Sequence, residues 1–345
     1  MGLASFSGGV FGAALAAALP LTSAPASADS VSDFYKGKSV DLIISTTTGG
    51  GYDAYARVLA RYMPAHVPGT PSITPKNMPG AGGIKAANYM YAEAAKDGSV
   101  FATIQNPVPF QPLLGVKQAL YDATKFNWIG SANTEVGLVF VWHTSTVTKF
   151  EDLMNREVTV AGTGGGSSTD FYYRLLNALV GTKLKSITGY PGSTESFLAL
   201  ERGEVEGFFL FWSTEQSQYG QRLEKKEIRN IVQFSLEKSP DLPDIPFAPD
   251  YIKNPKDKQA FELAVAPLAI GRPYLAPPNV PADRVKALQD AFLATLKDPK
   301  FLAEAKKLKL EISGVKSGDE VSDLVKRIYK TPKDVVAKVA EITKG

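Results

Sequence analysis

The chain contains no cysteine and only two histidines, His66 and His143, among 345 residues. The first absence rules out a disulfide framework, a thiolate nucleophile, an iron–sulfur cluster and cysteine-ligated zinc. The second leaves no material for an imidazole-rich metal site. Neither histidine stands near a carboxylate–serine arrangement of the kind a catalytic triad requires, so both read as surface or packing residues. A block of like charge is missing too. Lys and Arg number 38 against 35 Asp and Glu, a formal net charge of +3, and the charges are scattered, which is too weak a field for a dedicated binder of nucleic acid or of an anionic membrane surface. No stretch is apolar for long enough to span a bilayer as a helix.

What is present begins with an uncharged leader. Residues 1 to 28 carry no charged side chain, Val10 to Leu21 form a short run rich in alanine and leucine, and Ala26-Ser27-Ala28 directly precedes Asp29. A small-x-small triplet after a short apolar run is what a signal peptidase accepts, so residues 1–28 read as a secretory signal and the mature, periplasmic chain as starting at Asp29. The basic residue that normally opens such a leader is absent, and the alternative is an alanine-rich tail. With no cysteine after the run, a lipobox anchor is excluded.

The remaining length suits about two domains, and hydrophobic residues at 44% provide for a substantial core. After Asp29 the hydrophobic period switches repeatedly between strand and helix types, the mark of βαβ construction. Strand-like Val40 to Ser45, Ile73 to Met78 and Val100 to Gln105 alternate with helical Tyr52 to Met63 and Ile84 to Ala95. The same order returns with strands at Val158 to Ala161, Leu184 to Tyr190 and Phe208 to Phe211, and helices at Thr169 to Val180 and Glu195 to Arg202. Asp53 and Arg57 are four residues apart in one first helix, as are Asp170 and Arg174 in the other. An acid in the first turn with a base one turn later suits both the helix dipole and an i,i+4 pair, which assigns these four to the scaffold. The expectation is an α/β protein of two similar lobes. The first holds residues 29–137 and 268–345, with the Lys-rich C-terminal helices packed on it, and the second holds 138–267. Leu138 to Trp142 and Leu268 to Ile270 are read as two crossover segments, a hinge design.

Four loops each follow a strand and precede a helix. In open α/β sheets such loops gather at the carboxyl edge, where the unpaired N–H groups of helix starts attract anions without a formal cation. Gly162 to Ser168 is neither a P-loop, since no Lys follows, nor a full dinucleotide fingerprint, so no nucleotide cofactor is expected. A carboxylate at Asp53 would repel a bound carboxylate unless the ligand also carried an ammonium group, a further reason to place it in the scaffold. Phe110, Tyr190, Phe211 and Trp212 fall at strand ends or loop edges, suited to walls for a ligand's apolar body.

Val40 to Arg57, with Gly49-Gly50-Gly51, resembles the first signature of the tripartite tricarboxylate transporter receptors, also called Bug-type periplasmic binding proteins. Lys76-Asn77-Met78-Pro79-Gly80-Ala81-Gly82-Gly83, followed by Asp97-Gly98, is similar to the second. Tyr190-Pro191-Gly192-Ser193 with Glu204-Val205-Glu206 is similar to the loop and strand of the family's second domain. The resemblance implies a type II-like, two-lobed Venus flytrap that captures a small carboxylate, often through backbone amides and bridging waters, and delivers it as a monomer to two integral membrane subunits. It implies contacts from Thr46, Thr47, Thr48, Gly49 and Gly50, and from Gly80, Ala81, Gly82 and Gly83. Gly164, Gly165, Ser167 and Ser168, then Tyr190, Gly192 and Ser193, would close from the second lobe, with Trp212 as a wall. The family commonly has a Pro-Phe-Pro-Ala-like stretch where this chain has Ser45-Thr46-Thr47-Thr48, so the pocket is expected to be more polar. Two other readings compete: an extracytoplasmic sensor for a signalling system, and an enzyme on the same fold, for which no nucleophile–base pair is evident.

Overall fold

The computed structural model describes residues 1–4, 28–164 and 167–343, so most of the leader, including its apolar run, lies outside the described residues, as do Gly165 and Gly166. Helix α1 (Ala28–Tyr35) precedes the first βαβαβ unit, β1 (Ser39–Ile44), α2 (Gly51–Tyr62), β2 (Ser72–Asn77), α3 (Ile84–Ala92) and β3 (Val100–Thr103). β1 runs parallel to β2 on one side and to β3 on the other. Val40, Leu42, Ile43 and Ile44 are all buried, because a parallel strand inside such a sheet is covered on both faces. α2 buries Ala56, Leu59 and Ala60, and also Tyr52, Tyr55 and Val58, since the later helices α7 (Trp212–Glu224) and α10 (Pro299–Lys307) pack against it as well as the sheet.

After β4 (Asn127–Ser131) the chain enters the second unit: β5 (Gly137–Trp142), α4 (Asp152–Asn155), β6 (Val158–Gly162), α5 (Ser168–Val180), β7 (Leu184–Thr188), α6 (Ser193–Glu201), β8 (Gly207–Phe211), α7 (Trp212–Glu224) and β9 (Ile228–Phe234). It then passes through α8 (Pro255–Val265) and a 3-10 segment at Ala266–Ile270. The last part is β10 (Pro273–Ala276), α9 (Ala282–Thr295), α10 (Pro299–Lys307), β11 (Lys316–Ser317), α11 (Gly318–Ile328) and α12 (Lys333–Thr343).

One sheet has the order β11-β4-β10-β3-β1-β2 and the other β7-β6-β8-β5-β9. Each carries three strands of its own unit and then an antiparallel strand that arrives from the opposite lobe: β10 beside β3, and β5 beside β8. Leu138 to Trp142 is therefore not a crossing, as its apolar run suggested, but strand β5 between β8 and β9. Leu138, Val139, Phe140 and Val141 are fully buried, as suits a strand with a neighbour on each side. The chain crosses just upstream, at residues 132–136. There it lies against the returning segment through Ala132 N–H to Arg272 C=O (3.1 Å), Gly271 N–H to Asn133 C=O (3.0 Å) and Glu135 N–H to Leu268 C=O (2.8 Å).

The C-terminal helices also divide. α9 and α11 pack on β4, and α10 on α2, whereas α12 packs on α5 and α8. This corrects the placement of all C-terminal helices on the first lobe. Val339 of α12 is buried and Lys338 forms an ion pair with Asp257 of α8, so its apolar face is completed by the helical layer of the second sheet.

Candidate functional site

A cavity of about 570 Å³ lies between the lobes. Its walls are the loops leaving the carboxyl ends of β1, β2, β6 and β7, and its floor is Phe208 to Phe211 of β8 with Thr214 and Arg272. Three helices that start at these loops, α2, α3 and α6, have glycine in the capping position, Gly50, Gly83 and Gly192, with no side-chain hydrogen bond to the cap. The first-turn N–H groups of α2 and α6 are therefore left to whatever enters the cavity, whereas at the start of α3 the Ile84 and Lys85 N–H groups already donate to Ala81 C=O and Gly80 C=O. α5 differs, because the Ser167 hydroxyl caps it by accepting from Asp170 N–H.

Thr46, Thr47 and Gly50 line the cavity, and so do Gly80, Ala81, Gly82 and Gly83. Ala81 holds φ at 45° and Gly82 at 62°, a left-handed turn that alanine adopts only against strain. From the second lobe Gly164, Ser168, Tyr190, Gly192 and Ser193 line it. Thr48 and Gly49 do not: both are exposed, and the Gly49 N–H donates to Asp53 Oδ2 at 2.9 Å. Ser167 is fully buried as the α5 cap, and Gly165 lies outside the described residues. Phe211 is in the floor, but Phe110 is buried in the first-lobe core. Trp212 is the first residue of α7 and lines a different cavity, between α7 and α10.

The Thr46–Gly51 loop is held from behind. Asp53 Oδ2 accepts from Arg57 Nε at 2.9 Å as well as from Gly49, Asp53 Oδ1 accepts from Asn77 Nδ2 (2.9 Å), and Asn77 Nδ2 also donates to Thr46 C=O (2.8 Å). Burial alone would raise the Asp53 carboxyl, but the bonds from Arg57, Gly49 and Asn77 outweigh it and hold the group below the usual carboxylate range. Arg174 Nε meets Asp170 Oδ2 at the same 2.9 Å, yet Asp170 has no Asn77 counterpart among the described contacts.

Residues that sequence reasoning missed gather at the crossings. Arg272 Nη2 donates to Thr214 Oγ1 (2.8 Å) and Ser213 Oγ (3.1 Å) and lies 2.9 Å from Glu135 Oε1, with both side chains essentially inaccessible. Ser213 Oγ and Asn133 Nδ2 donate to the same Glu135 oxygen, at 2.6 and 2.8 Å. The guanidinium carbon sits 4.4 Å from the Tyr52 ring centre and 5.0 Å from that of Tyr55. Burial pushes the Glu135 carboxyl up, and Arg272 is the strongest opposing influence. The pair thus ties both crossings to α2 and to the start of α7. Glu215, one residue beyond Thr214, is fully buried, and no hydrogen bond meets either of its oxygens. Burial pushes its carboxyl up to about 8, with Asn230 acting in the opposite direction. Neither Glu135 nor Glu215 stands in a motif, and only their burial in the fold marks them.

The lobes touch at the mouth of the cleft. A Cβ on Gly50 would come 2.7 Å from Ser193 Oγ, and one on Gly192 would overlap Thr47 Oγ1. Gln105, just beyond β3, reaches across, where its Oε1 accepts from Ser168 Oγ (3.1 Å) and N–H (3.3 Å). Among the described residues no group of three or more His, Asp or Glu could hold a metal ion, and no helix is long and apolar enough to cross a membrane.

Two α/β lobes joined by paired crossings, with helix starts converging on a cleft between them, define a two-domain binding protein of the periplasmic type. The profile of the tripartite tricarboxylate transporter family receptors matches residues 56–340. The chain belongs to this family of periplasmic solute-binding receptors, which bind rather than catalyse. A Cupriavidus necator protein described as a UPF0065 protein in the gbd 5′ region is 25% identical over 313 residues, 87% of this chain and 86% of that one. The periplasmic binding protein BugD is 22% identical with a TM-score of 0.68, over 89% of this chain and 97% of that chain. MatC from Rhodopseudomonas palustris, solved with bound malate, is 20% identical with a TM-score of 0.67, over 87% and 99%. At these identities the two structures speak for the shared fold.

Proposed function

We propose that the cleft captures a small organic carboxylate and that the chain, acting as a monomer, presents it to two integral membrane subunits of a tripartite transporter. The observation that carries this reading is the charge of the cavity lining. Among the described residues that form it there is no Asp or Glu, and Arg272 is the one charged side chain. Thr46 Oγ1, buried and without a partner, adds a hydroxyl to the uncapped N–H groups of α2 and α6. Such a surface favours an anion that accepts hydrogen bonds and offers an ammonium group no carboxylate to pair with. The malate held by MatC supports the same class of ligand. In this reading Thr46, Thr47, Gly50 and Gly80 to Gly83 hold the carboxylate, while Gly164, Ser168, Tyr190, Gly192 and Ser193 close on it as the lobes turn about the two crossings.

The test is thermal denaturation of the purified protein with malate, adipate, benzoate, and arginine methyl ester as a cationic control. A ligand at a hundred times its Kd stabilises the native state by about 2.7 kcal/mol, so a true carboxylate ligand should raise Tm by several degrees. Stabilisation by the ester and by none of the acids would overturn the reading.

A further inference from the structure

We infer that Gln105 is a specificity-determining residue of the cleft, a single amide that latches the lobes with its oxygen and reads the ligand with its nitrogen. The inference rests on the carboxylate reading above. Three features of the geometry lead to it. The backbone of Gln105 is fixed on the first lobe, since its N–H donates to Ser45 Oγ (3.2 Å) and its C=O accepts from Val108 N–H (3.0 Å). Its Oε1 is fixed on the second lobe at the start of α5, a 13-residue helix. The Ser168 backbone N–H can only donate, so the end of the amide that faces it must be the oxygen. The NH2 end follows by elimination: it has no protein acceptor among the described residues, and Gln105 is half-buried and lines the cavity.

The consequence is chemical. The positive end of α5 polarises the amide through Oε1, which strengthens its two N–H donors. These donors face a cavity without carboxylates, and a carboxylate or hydroxyl oxygen of the ligand is the acceptor they lack. Oε1 also takes the place at the α5 start that a ligand anion would otherwise compete for, so the ligand's carboxylate is directed to the first-lobe loops and to the Gln105 NH2 group. Because one side chain makes both contacts, ligand binding stiffens the latch and the latch orients the donor.

Gln105→Glu separates the two roles. A carboxylate suits the α5 start at least as well as an amide oxygen, so the latch survives, but the donor becomes an acceptor of like charge to the ligand. We expect a ligand-free radius of gyration no larger than wild type by small-angle scattering, and affinity at least tenfold weaker by titration calorimetry for whichever of malate, adipate or benzoate the wild type binds. Gln105→Ala should lose affinity to a similar degree and also expand the ligand-free protein. Ser168→Ala removes one latch contact and keeps the donor, and should weaken binding only a few-fold. Circular dichroism confirms folding of each variant. If wild type binds an acid and Gln105→Glu binds it as tightly or more tightly, Gln105 is a latch alone and the inference is overturned. If wild type binds arginine methyl ester and none of the three acids, the carboxylate reading falls first and this inference with it.

Discussion

At the scale of single residues, two buried carboxyl groups meet opposite environments. Asp53 is wrapped in donors that hold it below its ordinary value, so it contributes stability above its unfolded pKa, and that contribution is lost as the pH falls through its folded value. Glu215 has burial and almost nothing else, and is pushed up to about 8. The folded protein then holds a proton that the unfolded chain releases above the ordinary carboxylate range. The stability linked to Glu215 is complete below that range and declines as pH rises toward 8. With 1.36 kcal/mol per unit as the ceiling, the wild type should lose roughly 2 kcal/mol of stability between pH 5 and pH 7 relative to Glu215→Gln. Paired thermal melts across that range check it, and a parallel pH dependence in the two proteins would show that Glu215 is not held protonated.

At the scale of elements, the two loops at the cleft mouth act on each other through closeness. Gly192 has an extended backbone, φ −163°, which any residue can adopt, so its need for glycine comes from the approach of Thr47 Oγ1. Gly192→Ala should therefore leave the second lobe intact while holding the lobes apart, with ligand affinity at least tenfold weaker. Removing the hydroxyl with Thr47→Ala in the same chain should restore most of that loss, because the next atoms, Glu195 Oε2 on the same lobe and Thr47 Cβ, lie at 3.2 and 3.4 Å. Titration of both variants decides the point, and a double variant as weak as Gly192→Ala alone would refute it. These loops were legible in the sequence because glycine, proline and threonine between a buried strand and an amphipathic helix have few other uses. The boundary between lining and scaffold was not legible. Thr48 and Gly49 share the composition of Thr46 and Gly50, and only the Asp53 contact turns Gly49 away from the cavity. Helix α7, with the sequence WSTEQSQYGQRLE, shows too few apolar residues to announce itself. Gln105 looks like the last residue of a strand until Ser168, 63 positions later, is found opposite it.

At the scale of the whole molecule, the Glu135–Arg272 pair joins segments 137 positions apart, which is why no local pattern betrays it. Removing one partner of a buried pair leaves the other charge uncompensated, typically at about 3–5 kcal/mol. Glu135→Gln should therefore lower Tm by roughly 6 °C or more, at about 2 °C per kcal/mol for a protein of this size. Glu135→Leu combined with Arg272→Met, which removes both charges, should be less destabilised than either single variant. A double variant showing the full sum of the two losses would mean that the partners do not act as a pair. The duplication of the βαβαβ unit was readable from period and order alone. The antiparallel entry of β5 beside β8 and of β10 beside β3 was not, because a buried antiparallel strand and a buried connecting run have the same apolar composition.

The late return of β10 to the first sheet governs the order in which the protein can be completed as it emerges from a ribosome or a translocation channel. β4 and β3 flank β10 in the first sheet, so everything up to β4 can be extruded while the middle of that sheet is still missing. The second sheet is built entirely from residues 137–234 and is the first that can close. The first is sealed only when residues 273–276 arrive. Helix α12 then returns to the lobe that began closing earliest: a nascent chain cut short before Lys333 would carry a finished cleft on a second lobe whose α5 and α8 lack the cover that α12 gives them.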